Sequence, residues 1–265
     1  MEITQHKPGT FCWLELGTTD QAGAKKFYST LFGWEVNEVP MEDDSVYTML
    51  TLRDKDVGAL YQLNEEQRKQ GIPSHWMNYV CTESADTTAA RASAAGATLV
   101  MPPFDVQDYG RMAIMSDPQG ATFAVWEPRT HTGVQIINET NTAVWFELAT
   151  SDPVAAGEFY RQVFGWRAKT DTSAENPYTE FQPADPNEQR GIGGMLQIRE
   201  EWGQVPPYWM VYFAVDDCVQ KTEQAGSLGA TILKAPASIP NVGIFSVLQD
   251  PQGAVFAIID LSGMG

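Results

Sequence analysis

One pattern occurs twice in this chain. Residues 11–36 read FCWLELGTTDQAGAKKFYSTLFGWEV, and residues 143–168 read AVWFELATSDPVAAGEFYRQVFGWRA. Trp13, Glu15, Asp20, Phe27, Tyr28, Phe32, Gly33 and Trp34 recur in order as Trp145, Glu147, Asp152, Phe159, Tyr160, Phe164, Gly165 and Trp166. Near the end of each copy, SDPQGATFAVWEP (116–128) faces QDPQGAVFAIIDL (249–261). The period is that of a whole domain, not of a solenoid unit of about 20–50 residues. Two copies of one fold are therefore expected, over 9–128 and 142–262, joined by the connector RTHTGVQIINETN (129–141). Residues 1–8 and 262–265 read as loose ends. Each copy is long enough to bury its own core.

Within a copy the order of elements is legible. Phe11, Trp13 and Glu15 alternate with Cys12, Leu14 and Leu16, the period of a strand. Asp20 then stands as a helix N-cap, and Asp152 is followed by Pro153 at the first helical position. Ala24, Phe27, Tyr28, Leu31 and Phe32 form a helical stripe, repeated by Ala156, Phe159, Tyr160, Val163 and Phe164. Gly33 and Gly165 sit where a left-handed C-terminal cap belongs. Strands are expected at 46–52, 57–63 and 76–82, then an Ala-rich helix ending near Gly96, then strands at 97–102 and 111–117. Asp117-Pro118-Gln119-Gly120 and Asp250-Pro251-Gln252-Gly253 have tight-turn chemistry and close a hairpin. The loop FDVQDYG (104–110), ahead of Arg111, could form a lid. The pattern is strand–helix–strand–strand–strand, four times. It predicts an α+β fold of four βαβββ modules in two tandem domains, with curved mixed, mostly antiparallel sheets that leave a concave inner face.

Charge and composition exclude several classes. Lys plus Arg total 17 against 34 Asp plus Glu, a formal charge of −17. No basic footprint for nucleic acid is present, and anionic membrane surfaces are disfavoured. Cys12, Cys81 and Cys218 form no close pair, which suits a reducing compartment. The N-terminus shows no apolar signal region, and no stretch approaches the roughly 20 apolar residues of a membrane span. The expectation is a cytoplasmic protein. Nucleotide-binding and hydrolase glycine or serine motifs are absent, and GIGG (191–194) reads as a bend or a close-packed strand.

The WxELxTxD strand, the FYxxxFGW helix end and the late DPxG hairpin carry a family resemblance. Twice over, and across nearly the whole chain, the sequence is similar to the glyoxalase, bleomycin-resistance and extradiol-dioxygenase superfamily, also called vicinal oxygen chelate proteins. More narrowly it resembles tandem glyoxalase-like proteins of bacteria, a mycobacterial antigen among them. The resemblance implies two glyoxalase-like domains. In the enzymes of the family it implies a divalent metal on the inner sheet face, held by His, Glu or Gln. Carried onto this chain, the ligand positions fall on Trp13 and Trp145 in the first strand, and on Ala59 or Leu60 and Gly194 or Met195 in the fourth. In the fifth strand they fall on Met77 or Trp76 and on Met210 or Trp209, and in the eighth on Ala124 and Ala257. None of these is an ordinary ligand for a hard or borderline divalent ion. Only His6, His75 and His131 are available, and the second copy has no histidine. No cofactor is expected, and a divalent metal is possible but disfavoured.

Candidate chemistry therefore lies with other residues. By strand parity Glu15 and Glu147 share the inward face with Trp13 and Trp145. A carboxyl beside an indole in an apolar cup can have a raised pKa and act as a base, or anchor a ligand; it can also simply bond a neighbouring Tyr. Met77, Tyr79, Met210 and Tyr212 should share that face, while Cys12 should face away. Trp34 and Trp166 read as staples of helix to sheet. The leading reading is a metal-independent small-molecule-binding protein with aromatic and acidic cups. The alternatives are a lyase, isomerase or dioxygenase-type enzyme of the same superfamily using an atypical site with Glu15 and Glu147 as bases, and a structural or interaction protein whose cups are self-filled. The partner is a small molecule. The chain would be a monomer acting as its own pseudo-dimer, or a homodimer.

Overall fold

The computed structural model describes residues 1–41, 45–172 and 177–263. The first copy runs β1 (Phe11–Thr18), α1 (Gln21–Phe32), β2 (Glu35–Pro40), β3 (Val46–Leu52), β4 (Lys55–Gln62), a short α2 (Glu65–Lys69), β5 (His75–Cys81), α3 (Ala85–Ala94), β6 (Thr98–Val106), β7 (Gly110–Ser116) and β8 (Thr122–Pro128). The second runs β9 (Ala143–Thr150), α4 (Pro153–Phe164), β10 (Arg167–Asp171), β11 (Tyr178–Gln182), β12 (Gly193–Gln197), β13 (Tyr208–Ala214), α5 (Cys218–Ser227), β14 (Thr231–Ile239), β15 (Gly243–Gln249) and β16 (Val255–Asp260).

Each copy forms one open eight-stranded sheet, ordered β2-β3-β4-β1-β5-β8-β7-β6 and β10-β11-β12-β9-β13-β16-β15-β14. In the first sheet the β1–β4 and β5–β8 pairs are parallel and the remaining pairs antiparallel. The fold is α+β with two tandem domains, as the repeat predicts. Local chemistry explains the long helices. Asp20 accepts the Gly23 N–H at 3.0 Å, and Gly33 closes α1 at φ 70°, a left-handed conformation that costs glycine little. Asp152 and Gly165 (φ 73°) do the same for α4. The strands β2 and β10 were not singled out by the sequence. Both lie at a sheet edge and are almost wholly exposed, so no apolar alternation marks them.

The helix stripes cross between copies. Tyr28 and Phe32 of α1 pack on Phe256 of β16, and Phe32 also on Phe213 of β13. Phe159, Tyr160 and Phe164 of α4 pack on Phe123 of β8. Reciprocal hydrogen bonds lock the exchange. Tyr28 donates its hydroxyl to Asp250 at 2.9 Å, and Tyr160 donates to Asp117 at 3.0 Å. Each Asp also receives backbone N–H groups of its own turn through the other oxygen. The DPQG turn is thus both a hairpin closure and the docking point of the opposite helix. Trp76 and Trp209 donate to the same two phenols, at 3.0 and 2.8 Å. Trp34 and Trp166 do more than staple helix to sheet. Trp34 donates to the Asn141 carbonyl and packs against Phe213; Trp166 donates to the Gly9 carbonyl and packs against Phe11.

Three expectations need correction. Phe11 does not share a face with Trp13. A register shift at Cys12 pairs Phe11 with Val80 and Trp13 with Tyr79, and Phe11 stacks on Phe146 at 4.1 Å on the side between the copies. The extra residue of such a bulge breaks strict alternation. Residues 1–8 are not loose. Ile3 N–H bonds the Gln135 carbonyl at 2.8 Å, Gly9 N–H bonds the Cys81 carbonyl at 2.8 Å, and Glu2 bridges Ile136, so the tail zips against the connector. At the other end, residues 264–265 lie outside the described residues. Finally, residues 104–110 are no lid, because β6 continues to Val106 and a tight turn leads into β7. Arg111 braces this hairpin against α3 through Asp86 at 2.6 Å and Asp105 at 3.1 Å.

Candidate functional site

Strand register decides which side chains meet on each inner face. Residues directly paired across neighbouring strands project to the same side. Glu15 is paired with Ala59 on β4 and Met77 on β5, and Trp13 with Tyr79, which in turn faces Ala124 on β8. In the second copy Glu147 is paired with Gly194 and Met210, Trp145 with Tyr212, and Tyr212 with Ala257. All eight residues expected to line the cups, Trp13, Glu15, Met77, Tyr79, Trp145, Glu147, Met210 and Tyr212, therefore share the inner faces in their two sets of four. The ambiguous positions also resolve. Ala59 and Gly194 face inward rather than Leu60 and Met195, and Trp76 and Trp209 point into the core between the copies.

One further side chain completes each cup, Tyr47 in the first and Tyr178 in the second. Glu15 receives the Tyr79 hydroxyl on one carboxyl oxygen at 2.6 Å and the Tyr47 hydroxyl on the other at 2.7 Å. Glu147 receives Tyr212 at 2.6 Å and Tyr178 at 2.9 Å. Behind them the indole N–H of Trp13 donates to Tyr47 at 3.3 Å, and that of Trp145 donates to Tyr178 at 2.8 Å. The result is a duplicated Trp–Tyr–Glu–Tyr chain. Tyr47 and Tyr178 were not expected from the sequence. Their signal was present: both open a Tyr-Thr dipeptide early in the third strand of their copy.

Electrostatics follow from burial. Desolvation pushes the Glu15 and Glu147 carboxyls above the usual carboxylate range, and the phenol hydrogen bonds only partly oppose it. Tyr79, Tyr47 and Tyr212 are driven well above the ordinary phenol value by burial and by the neighbouring carboxyl. Tyr208 is pushed up to about 12 for the same reasons. All these phenols remain proton donors near neutrality.

The glycine cluster in β12 has a steric explanation. A Cβ on Gly194 would lie 1.8 Å from the Tyr178 hydroxyl and 3.0 Å from the Trp145 indole nitrogen, and one on Gly191 would lie 2.7 Å from the far edge of the Trp145 ring. GIGG thus lets Trp145 and Tyr178 lie directly on the backbone. Gly193 similarly admits the Phe146 carbonyl.

The whole chain has close relatives. CFP32 of Mycobacterium tuberculosis, named as a glyoxylase, is 36% identical over 258 residues, covering 97% of this chain and 96% of that protein. The chain belongs to the glyoxalase/bleomycin-resistance/dioxygenase superfamily. Residues 10–125 match the model of the Glyoxalase/Bleomycin resistance protein/Dioxygenase superfamily, and residues 144–259 match that of the Glyoxalase-like domain. The anthracycline biosynthesis protein DnrV of Streptomyces peucetius is 32% identical over 272 residues, covering 98% of this chain and 96% of that one. Among solved structures, a Mn(II)-bound glyoxalase from Novosphingobium aromaticivorans superposes with a TM-score of 0.65 at 16% identity, covering 96% of this chain and 82% of that one.

The inner faces offer few donors for a divalent metal of the kind this superfamily implies. The cross-strand neighbours of each Glu are Ala or Gly and Met, and both Glu oxygens already accept phenol hydrogen bonds. Among the described residues no group of three or more His, Cys, Asp or Glu side chains is placed to hold an ion. An occupied carboxyl with at most one further donor on its face, His75 in the first cup and Glu180 in the second, is a sparse set for Mg, Mn, Fe or Zn. His6 instead bonds the Val134 carbonyl, and His75 bonds the Pro73 carbonyl. Among the described residues no helix is long and apolar enough to cross a membrane.

Proposed function

We propose that this chain is a small-molecule-binding member of the superfamily that works without the divalent metal, in the cups built around Glu15 and Glu147. One observation carries the reading: in both copies an inward carboxyl is clamped by two tyrosine hydroxyls on the inner face where the superfamily's enzymes place their metal. Such a carboxyl, with its pKa raised by burial, can share a proton with a ligand hydroxyl or carbonyl, while the phenols hold its two oxygens in place. Aromatic rings around it supply the apolar area that small ligands bury. The name of the Streptomyces relative places that protein in anthracycline biosynthesis, which agrees with a small organic ligand. The test is a thermal-shift screen of phenols, quinones and small carbonyl compounds in EDTA. A ligand that raises the melting temperature equally with and without chelator is the expected result. Stabilisation that appears only with added Mn(II), Fe(II) or Zn(II) contradicts it.

The raised carboxyls also favour a second reading, in which Glu15 or Glu147 acts as an acid–base group for an isomerase or lyase reaction. Under that reading Glu15→Gln or Glu147→Gln abolishes turnover of the bound ligand while leaving its affinity nearly intact. Full turnover in both variants removes it.

A further inference from the structure

The two cups share a floor but not a mouth. In the first, Trp13 is only 4% exposed. The His131 ring stands edge-on to it at 4.5 Å, and Trp126 holds that segment by donating to the His131 carbonyl at 2.9 Å. Further along, the Val134 N–H bonds the Cys12 carbonyl. The connector thus lies over the first indole and seals it. What the first cup leaves half-buried is mixed: Glu15, Tyr47, Tyr61 and His75, together with Met49 and Ile114.

The second cup differs at its indole and along β13, β15 and β16. Trp145 is half-buried rather than sealed. At matched register Leu196 replaces Tyr61, Tyr208 replaces His75, Phe245 replaces Met112 and Ile259 replaces Trp126. Trp145, Tyr208, Phe245 and Val247 remain partly exposed as they pack on a buried floor of Met210, Tyr212, Ala257 and Ile259. Gly191 and Gly194 clear the space for the Trp145 ring, as described above. These four side chains stay partly open around the Glu147 carboxyl, with half-buried Tyr178 and Glu180 on the same face, at the spot where the sister cup is capped, and they offer aromatic area to a flat ring.

We propose that the second cup takes a planar, uncharged aromatic ligand of the phenol or hydroxyquinone class. Its ring lies on the face that runs from Trp145 across Tyr212 to Phe245, and its oxygen meets the Glu147, Tyr178 and Tyr212 cluster. The first cup, sealed over Trp13, does not take it. The assignment rests on the metal-independent reading but is tested apart from it.

The experiment titrates the full chain with 1,4-dihydroxyanthraquinone in EDTA, following ligand absorbance, for the wild type and for Trp145→Phe, Phe245→Leu and Trp13→Phe. Thermal unfolding of each variant checks that it is folded. The expected result is saturable binding by the wild type, with Kd raised about tenfold by Phe245→Leu, which removes a stacking ring, raised less by Trp145→Phe, which keeps a smaller ring, and raised least by Trp13→Phe. A loss in Trp13→Phe that equals or exceeds that in Trp145→Phe moves the site to the first cup and overturns the assignment. No binding of the quinone by the wild type, with or without EDTA, overturns the ligand class. Binding that needs removal of EDTA but still depends on Trp145 and Phe245 keeps the assignment and instead refutes the metal-free reading.

Discussion

Glu147 is the residue on which the proposed chemistry turns, and its pH behaviour has a definite sign. Its folded pKa lies above the ordinary carboxyl value because burial penalises the charged form. A group of that kind contributes fully to stability while it is protonated in both states. The contribution is lost as pH rises through the raised folded value. Glu147→Gln removes the titration. From about pH 4 to pH 7, across and above the unfolded carboxyl range, the wild type should therefore lose stability relative to Glu147→Gln in denaturant melts. A difference that grows in favour of the wild type would mean that the carboxyl is better stabilised as an anion than as an acid. Glu15 and Trp13 were legible in the sequence because the repeat preserves them at strand spacing. The phenols that clamp the carboxyls were only half legible. Tyr79 and Tyr212 follow from parity on the fifth strand of each copy, whereas Tyr47 and Tyr178 arrive from β3 and β11 through non-local pairing, and no local pattern reports a register between distant strands.

At the scale of elements, the exchanged helices should respond as a matched pair. Tyr28→Phe leaves Asp250 and the Trp76 indole N–H each without its phenol partner, and Tyr160→Phe does the same to Asp117 and Trp209. Leaving such buried groups unpaired costs about 1–3 kcal/mol. Both variants should lose stability in that range and by similar amounts, measured by chemical denaturation. A loss confined to one of them would show that the reciprocal contacts are unequal in energy. The helices were readable because stripe, N-cap and left-handed glycine are local signals that agree. The faces of β1 were readable only as far as Trp13. The bulge at Cys12 inserts one residue and turns Phe11 to the opposite side, and a matching shift between Tyr212 and Phe213 in the β9–β13 register repeats it. The hairpin turn was legible as a turn, but its Asp as an acceptor for the opposite copy was not, since that role needs the two copies side by side.

Across the whole molecule, duplication has built an internal pair. Each helix stripe that its own copy presents is covered largely by the other, so neither half is complete alone. Separately expressed residues 1–141 and 142–265 should associate with each other in a one-to-one complex, measured by sedimentation, because each exposes the aromatic surface that the other buries. Two stable, non-interacting halves would show that the exchanged contacts are dispensable. The pairing leaves the inner faces free to diverge, and they have: one is sealed by the connector, the other walled by open aromatics. What both keep is the carboxyl and its two phenols, and this is the central claim. It is tested most directly by the metal content of the full chain, purified without chelator and then offered Mn(II), Fe(II), Zn(II) and Ni(II), with elemental analysis after desalting. The expected result is far less than one ion per chain under every condition. One tightly held ion per cup, lost on Glu15→Gln or Glu147→Gln, would contradict it.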